Sequence, residues 1–390
     1  MAETQIAGKT RSKAEIREMA RLIAHMGPNI DEVSRIIGAH NETMRYRYRQ
    51  LLERGFTIQA SCNYESLGMK RVVAVLELND FFRDNADTMF YLMHELAFVV
   101  GYAKIKRDGL YVLSASVPQE SLNSWTDLML RLKDGVVRSI ETVTLDQVHN
   151  PPMKVECFDF DTGRWRLDLR ARPGPSAVVE ETVRRQRYDT TDLKIVSQLQ
   201  IDANASLAEM CKNVGMSNYK TFTWHFREHV LRRRLIKGYR LNWMGMTSGR
   251  KTSGLRRYSW IDVIARNLSE SERIELAGAL NRTPFIWTEG FGTRTYYCRM
   301  VLPVEYGPRL KRLLEGAISP VRDRARWLQM DPRHAMHFSL HVQNYDERTG
   351  AWRFDKEQIL QSLASMQNIR RQVSGIRPPA GDRSHSSDSR

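Results

Sequence analysis

The sequence predicts an α+β protein made of two tandem copies of one unit, an N-terminal winged helix-turn-helix followed by a ferredoxin-like (βαββαβ) domain. Residues 188–239 show the helix caps, the turn glycine and the basic final strand of a winged helix-turn-helix. The same caps and turn occur once before, in residues 12–62. Each copy precedes strand and helix patterns in the same order, and each half ends in a Thr-Gly hairpin turn, at Thr162 and Thr349. This repetition indicates an internal duplication.

The duplication divides the chain into six predicted segments. In chain order they are the first winged helix, the first ferredoxin-like domain, a Pro- and Arg-rich linker, the second winged helix, the second ferredoxin-like domain and a disordered tail, at residues 12–62, 70–169, 170–187, 188–243, 258–356 and 376–390.

Helix caps predict the helices of both winged domains. In the second copy, Asp189 and Asp192 begin the first helix, Ser206 and Glu209 form a capping box, and Gly215 supplies the tight turn before the third helix. The residues with the same spacing in the first copy are Ser12, Glu15, Asn29, Glu32 and Gly38. Residues 1–11 are expected to be a loose basic leader.

Each ferredoxin-like sheet is expected to carry helices on one face, so its other face needs a cover. We expect these other faces to meet within one chain, as an intramolecular pseudo-dimer with a winged helix at each end. Further assembly into a larger homo-oligomer is a secondary expectation. The side chains expected on the meeting faces are Val73, Val75, Glu77, Val112, Ser114 and Ser116 in the first copy, and Tyr296, Cys298 and Met300 in the second.

Composition narrows the class of partner. Hydrophobic residues make up 42% and charged residues 27% of the 390, which is typical of folded rather than disordered proteins. The formal charge of +15 favours a polyanionic partner such as duplex DNA. The four cysteines are too far apart for a Cys-x-x-Cys zinc site, and no apolar run is long enough to span a membrane. These features predict a cytoplasmic protein without a membrane partner.

The second winged helix resembles the DNA-binding domain of the leucine-responsive regulator (Lrp/AsnC) family. The resemblance is carried by the aspartates that begin its first helix, by residues 206–209, by Gly215-Met216-Ser217 and by Ile236-Lys237-Gly238-Tyr239. It implies that the ferredoxin-like domains are of the ACT-like kind, and that the chain is a non-enzymatic transcriptional regulator without a cofactor. The third helix departs from the family pattern, because it is longer and carries Trp224 and His225.

The exposed faces of the two third helices, with the basic residues that follow the second, are the candidate DNA-binding surfaces. The candidate residues are Asn41, Glu42, Arg45, Tyr46, Arg49 and Gln50 in the first copy, and Ser217, Asn218, Lys220, Thr223, Trp224, Arg227, Arg232, Arg233, Arg234 and Lys237 in the second. A solvated helix face is the alternative interpretation, and Trp224 could instead be a packing residue. Because the two helices are unlike, equal half-sites on DNA are not expected, and one copy could have lost base reading.

Three histidines near the C-terminal end, His334, His337 and His341, allow two interpretations. On a helix, His337 and His341 would share a face and could hold a metal. The apolar residues that alternate through 338–342 favour a strand instead, with both histidines on a solvated edge and no metal.

The resemblance leaves ligand binding open. The turns at residues 117–121 and 302–307 lack the Gly-rich motif with an Asp that the family uses to bind its effectors, so amino-acid sensing is not predicted and a small-molecule effector stays uncertain. Siroheme decarboxylases share the same domain plan, and basic residues of their sheet domain bind tetrapyrrole carboxylates. The histidine-tyrosine motif associated with that group is not evident here. A tetrapyrrole enzyme is therefore the alternative function.

Overall fold

The computed structural model describes residues 2–106, 109–167, 185–244 and 258–375, with side chains for residues 13–368 of these. Most of the predicted linker, the basic insertion after the second wing and the predicted tail at 376–390 lie outside the described residues.

The first winged helix contains α1 (Ala2–Met26), α2 (Ile30–Ile37), α3 (Asn41–Glu53) and the wing strand β1 (Thr57–Cys62). The Asn29 side chain caps α2 by accepting the Glu32 amide, and Gly38 ends the helix in the left-handed conformation at φ 69°. The expected cap at Ser12 is wrong, because α1 already begins at Ala2 and includes most of the expected leader.

The second winged helix contains α7 (Thr190–Ile201), α8 (Leu207–Asn213), α9 (Tyr219–Trp224), a π-helical segment (His225–Leu231) and the wing strand β9 (Ile236–Asn242). Asp189 and Asp192 form a reciprocal capping box at α7, and Ser206 caps α8. The π-helical segment accommodates the extra length of the third helix.

The two wings pair with each other. Strands β1 and β9 form an antiparallel two-stranded sheet in which Ala60 lies opposite Tyr239. The Tyr48 hydroxyl of the first winged helix donates to Asn204 Oδ1 of the second at 2.6 Å. The expectation that the winged helices lie at opposite ends of the molecule is therefore wrong.

Both ferredoxin-like domains show the βαββαβ order that the sequence predicts. The first contains β2 (Met69–Leu78), α4 (Asp80–Asp84), α5 (Ala86–Ala97), β3 (Val99–Ile105), β4 (Leu110–Pro118), α6 (Leu122–Arg131) and β5 (Val137–Leu145). The second contains β10 (Tyr258–Ala265), α10 (Glu270–Leu280), β11 (Ile286–Gly292), β12 (Thr295–Pro303), α11 (Gly307–Ile318) and β13 (Ala325–His337). The remaining elements are β6 (Gln147–His149), two hairpins, β7 (Phe158–Asp159) with β8 (Arg164–Trp165) and β14 (Tyr345–Asp346) with β15 (Ala351–Trp352), and a final helix, α12 (Lys356–Gly375).

The two domains share one nine-stranded sheet of order β5-β2-β4-β3-β13-β10-β12-β11-β6. Strand β3 pairs with β13, which joins the copies, and Tyr102 lies opposite Met336 there. Strands β5 and β6 form the two ends of the sheet, yet only Asp146 separates them in the chain. The sheet therefore curls until its ends meet, and the faces that carry no helices turn toward each other.

A shared apolar core confirms the predicted meeting face of the first copy. Val73, Val75 and Val112 lie in it together with second-copy residues. The face predicted for the second copy is wrong. Tyr296, Cys298 and Met300 pack in the core that includes the apolar side chains of α10 and α11, whereas Tyr297 lies in the core shared by the two copies. Both faces of residues 295–303 carry large apolar side chains beside the single charge of Arg299, so alternation did not show which face is covered by helices. Among the described residues, no helix has the length and apolar content needed to cross a bilayer.

Candidate functional site

A small cavity lies between the paired wings and the inner face of the nine-stranded sheet. Its volume is about 70 Å³, and four basic side chains from four different strands line it: Arg71 of β2, Arg240 of β9, Arg299 of β12 and His337 of β13. No aspartate or glutamate of the described residues is among its lining residues. We call this site the cationic cavity.

Arg299 has a carboxylate partner. Its Nε and one terminal nitrogen donate to the two oxygens of Asp262, each at 2.8 Å, and the Tyr297 hydroxyl donates to the same carboxylate at 2.9 Å. Asp262 is fully buried. Burial opposes the charge of Arg299, but the Asp262 carboxylate outweighs this and raises the pKa of Arg299 above its usual value.

Arg240 has no carboxylate partner among the described residues. Its guanidinium lies over the Trp287 ring, 4.3 Å from the centroid, and donates to the Trp287 carbonyl at 3.1 Å and to Asn150 Oδ1. Burial, followed by the repulsion of Arg71 and Arg299, lowers the pKa of Arg240 to about 9, which leaves the side chain charged at neutral pH.

Arg71 is the least satisfied of the three arginines. Its Nε is buried and has no hydrogen-bond partner, and its guanidinium lies 4.7 Å from the centroid of the Tyr64 ring. A buried guanidinium nitrogen without a partner is costly unless a ligand accepts its hydrogen bond. Among the cavity residues, Arg71 would therefore be stabilised most by a bound anion.

His337 reaches the cavity because Gly101 lies opposite it in the β3–β13 pair. A Cβ at Gly101 would lie 2.9 Å from the Met336 carbonyl oxygen and 3.3 Å from His337 Nδ1. His337 is exposed, and part of its side chain lines the cavity. Desolvation on that side, and then the three arginines, lower the pKa of His337 below its usual value, so the imidazole is neutral at neutral pH.

The two copies contribute unequally to the cavity. Asp262 lies opposite Arg299 across β10 and β12, and at the equivalent place in the first copy Val73 lies opposite Ser114 across β2 and β4. The pair is charged in one copy and uncharged in the other. The cavity therefore breaks the pseudo-twofold symmetry of the fold.

The balance of charge makes the cavity a candidate anion site. Of its three guanidinium groups, Arg299 is paired with a buried carboxylate, and Arg71 and Arg240 have no carboxylate partner among the described residues. Guanidinium groups bind carboxylates through paired, charge-assisted hydrogen bonds. A larger cleft of about 1380 Å³ follows the same wings, but its lysines already have acidic partners. Lys237 lies 2.8 Å from Glu65, and Lys70 lies 3.1 Å from Asp146. The cationic cavity is the stronger candidate site.

The predicted DNA-binding residues of the first copy lie on α3, apart from this cavity. Tyr46 is 57% exposed, and Arg49 and Gln50 are exposed beside it. Arg45 forms ion pairs with Asp31 and Glu42, so acidic groups lie within the same surface.

In the second copy, Ser217, Asn218, Lys220 and Arg227 are exposed and Thr223 is partly buried. Trp224 is 52% exposed, but its ring also packs 4.3 Å from that of His229. Several basic residues that follow the π-helical segment already form contacts within the protein. Arg232 pairs with Glu228, Arg233 donates to the Arg187 carbonyl, and Lys237 pairs with Glu65, while the exposed Arg234 makes up the rest of the run.

The strand interpretation of the C-terminal histidines is confirmed for His334 and His337, which lie in β13. It is wrong for residues 338–342, whose alternation suggested it, because β13 ends at His337. The prediction that His337 and His341 lie on a solvated edge is wrong in part. His337 is exposed, but β13 pairs with β10 on one side and β3 on the other, so it is not an edge strand. His337 faces the cationic cavity, and the partly buried His341 lies 3.4 Å from Glu95.

Sequence analysis did not bring the three cavity arginines together. A usable signal was present for two of the charged groups, since single charges interrupt apolar strands at Asp262 and Arg299. Charged residues in such runs are rarely buried without a partner or a ligand.

No protein-family model matches the sequence, and no curated protein matches it. Among solved structures, siroheme decarboxylase NirDL superposes with a TM-score of 0.52 at 10% identity, covering 90% of this chain and 99% of that chain. Its co-complex with an iron-uroporphyrin III analogue covers 93% and 100%, with a TM-score of 0.51 at 10% identity. An AsnC family transcriptional regulator from Agrobacterium tumefaciens covers 34% of this chain and 88% of that chain, with a TM-score of 0.27 at 14% identity. The chain therefore has the NirDL-like fold, a fused tandem of Lrp/AsnC-like units, over nearly its whole length.

Proposed function

We propose that this protein binds a tetrapyrrole with carboxylate side chains at the cationic cavity, and that it acts as a siroheme-decarboxylase-like enzyme. One observation carries the proposal: three guanidinium groups converge on a cavity that has no carboxylate among its described lining residues, and a nitrogen of Arg71 has no partner. The fold supports the tetrapyrrole among carboxylate ligands, because the full-length likeness is to a siroheme decarboxylase.

The cavity is sized for carboxylate groups, not for the macrocycle. At about 70 Å³ it lies below the several hundred Å³ typical of small-molecule sites. In this proposal the side-chain carboxylates enter between the arginines, and access for the ring requires the paired wings to move away from the sheet. The Tyr64 and Trp287 rings, which already lie against Arg71 and Arg240, would then flank the ligand.

His337 is the proposed proton donor. When an acetate side chain loses carbon dioxide, the carbon–carbon bond breaks and its electron pair stays on the methylene carbon, which must take up a proton. Desolvation, and then the charges of the three arginines and of His94, lower the pKa of His337 and hold the free imidazole neutral. A bound carboxylate offsets their charge and raises the pKa of His337 toward neutrality, which favours a proton on the imidazole.

The test is a titration of the purified full-length protein with iron-uroporphyrin III, followed by the absorbance of the macrocycle. Arg71→Met should weaken binding about tenfold or more, because a charge-assisted hydrogen bond contributes roughly 1.5–3 kcal/mol. Arg309→Met is the matched control, since Arg309 is exposed on α11 outside the cavity. Equal affinities of the two variants would refute the site.

Incubation with siroheme then tests the reaction, because each turnover lowers the mass of the tetrapyrrole by that of carbon dioxide. An intact substrate would refute the enzyme while leaving binding in place.

Duplex DNA binding is the second candidate, and the exposed Tyr46, Arg49 and Gln50 on α3 favour it together with the charge of +15. The logarithm of the affinity for duplex DNA would then fall linearly with the logarithm of salt concentration, with a slope of about 0.9 per phosphate contact. Arg49→Ala should weaken DNA binding while Arg71→Met leaves it unchanged, which is the reverse of the tetrapyrrole result. A negligible salt slope would exclude this function.

A further inference from the structure

Two histidines of the π-helical segment converge with two aspartates of the α7 capping box. His225 Nδ1 lies 2.8 Å from Asp192 Oδ1 and 3.7 Å from Asp189 Oδ2, and His229 Nδ1 lies 3.0 Å from Asp192 Oδ2. One ligand atom from each of the four side chains falls within 4.8 Å of every other. We call these four residues the His-Asp cluster.

We propose that the His-Asp cluster is a tetrahedral binding site for a transition-metal dication of the zinc class. Zinc binds imidazole nitrogen at about 2.0–2.1 Å and carboxylate oxygen at about 2.0–2.2 Å, so neighbouring ligand atoms of a tetrahedral site lie about 3.3 Å apart. With Oδ1 as the ligand atom of Asp192, the separations are 2.8 Å to His225 Nδ1 and 3.1 Å to His229 Nδ1, and His225 Nδ1 lies 3.7 Å from Asp189 Oδ2; these values bracket the expected one. Two nitrogen and two oxygen ligands suit zinc better than magnesium or calcium, which prefer sites made of oxygen.

The charge of the cluster supports a cation. Asp192 is fully buried, and within the described part of the chain its carboxylate contacts the His225 and His229 imidazoles and accepts the Asp189 amide, with no lysine or arginine beside it. A buried carboxylate is costly unless it is paired or coordinates a metal. Asp189, whose side chain is one-third exposed, leaves a path for an ion to reach the cluster.

The local backbone gives a second, independent argument. The segment His225–Leu231 is π-helical, and short π-helical stretches within α-helices are rare and frequent at functional sites. Trp224 lies against His229 at 4.3 Å and shields this side of the cluster. A metal here would tie the start of α7 to the third helix of the second winged domain. The site is separate from the cationic cavity and does not depend on the function proposed for it.

A neighbouring group provides a built-in comparison. His94, Glu95 and His341 also bring three possible ligand atoms within 4.8 Å of one another. His94 Nδ1 lies 2.8 Å from the Val99 carbonyl oxygen, and its ring stacks on Phe338. This group offers three ligands, whereas structural zinc sites have four, so it should bind a metal more weakly than the His-Asp cluster.

The experiment uses full-length protein stripped with a chelator and titrated with cobalt(II) and zinc(II). Cobalt should give the intense visible absorption of a tetrahedral complex at one ion per chain, and zinc should displace it. Asp189→Asn and His229→Gln should each weaken zinc binding by more than about 100-fold, because loss of even an outer-shell partner costs 10–100-fold. His334→Gln is the matched control, since His334 is exposed and belongs to neither group.

Each outcome decides the question. Asp189→Asn keeps the buried Asp192 and its imidazole contacts, so the metal-free variant should melt like the parent protein and report on binding alone. Absence of a tetrahedral cobalt spectrum in the parent protein would overturn the proposal. So would binding that is lost in His341→Gln but kept in Asp189→Asn and His229→Gln, because the ion would then lie at the second group.

Discussion

The buried pair of Asp262 and Arg299 gives the most stringent test of the cationic cavity. Asp262→Val removes the acceptor of two guanidinium hydrogen bonds of 2.8 Å and leaves the charge of Arg299 uncompensated. Breaking a buried ion pair by removing one partner costs about 3–5 kcal/mol. Since 13% of the Arg299 side chain is exposed, we expect the lower end, about 3 kcal/mol. Arg299→Ser should also destabilise the fold, because it leaves the fully buried carboxylate without its cation.

The double variant Asp262→Val/Arg299→Ser should recover most of that loss. It reproduces the uncharged pair of Val73 and Ser114 that the first copy carries at the equivalent place. Replacement of a whole buried ion pair is often neutral or stabilising. Urea unfolding followed by circular dichroism gives the free energy of unfolding of the parent protein, the two single variants and the double variant. A loss of about 3 kcal/mol lowers the urea concentration at the midpoint by roughly 1 M, at a slope of about 3 kcal/mol/M. If the double variant is destabilised by the sum of the single variants, the two residues do not act as a pair and the reasoning fails.

Three further predictions follow from the same cavity. Arg71→Met should leave the midpoint of thermal unfolding unchanged or raise it. The substitution removes a nitrogen that has no hydrogen-bond partner, and it removes the repulsion between Arg71 and the other two arginines. A fall of several degrees would contradict this. Gly101→Ala should cost about 1–3 kcal/mol in urea unfolding, because its Cβ would approach the Met336 carbonyl to 2.9 Å, whereas Gly316→Ala, with open space around it, should cost nothing. Anion affinity should rise as pH falls from about 8 to about 6, because a bound carboxylate raises the depressed pKa of His337 and binding then takes up a proton. Calorimetry in two buffers of different ionisation enthalpy measures this uptake, and identical heats would reject it.

Local signals in the sequence were sufficient for most helices and strands of the fold, but not for the start of α1 or for α12. The reciprocal caps of Asp189 and Asp192, and the turns at Gly38 and Gly215, depend on residues three or four positions apart. The βαββαβ order likewise follows from patterns within each strand and helix. These features could be predicted because neighbouring residues alone determine them.

The joints between the copies depend on distant residues and left no such signal. Pairing of the wings places Ala60 opposite Tyr239, and the β3–β13 joint requires a glycine at position 101 so that His337 fits. Nothing near either residue in the chain indicates its partner. The cationic cavity is made by these same joints, so its residues could be recognised as isolated charges but not assembled into a site. The histidines of the π-helical segment were missed for the same reason, since their aspartates belong to another helix.

The fusion of two copies in one polypeptide allows substitutions near the pseudo-twofold axis that a homodimer would not tolerate. In a dimer of identical subunits, every substitution near the twofold axis occurs twice, so an arginine gained there would meet its own copy. A fused chain removes this constraint, because each half is encoded separately. Here one half has an aspartate–arginine pair where the other keeps valine and serine. A single gene duplication thus allows an asymmetric binding site, which a homodimer could reach only by evolving a second gene.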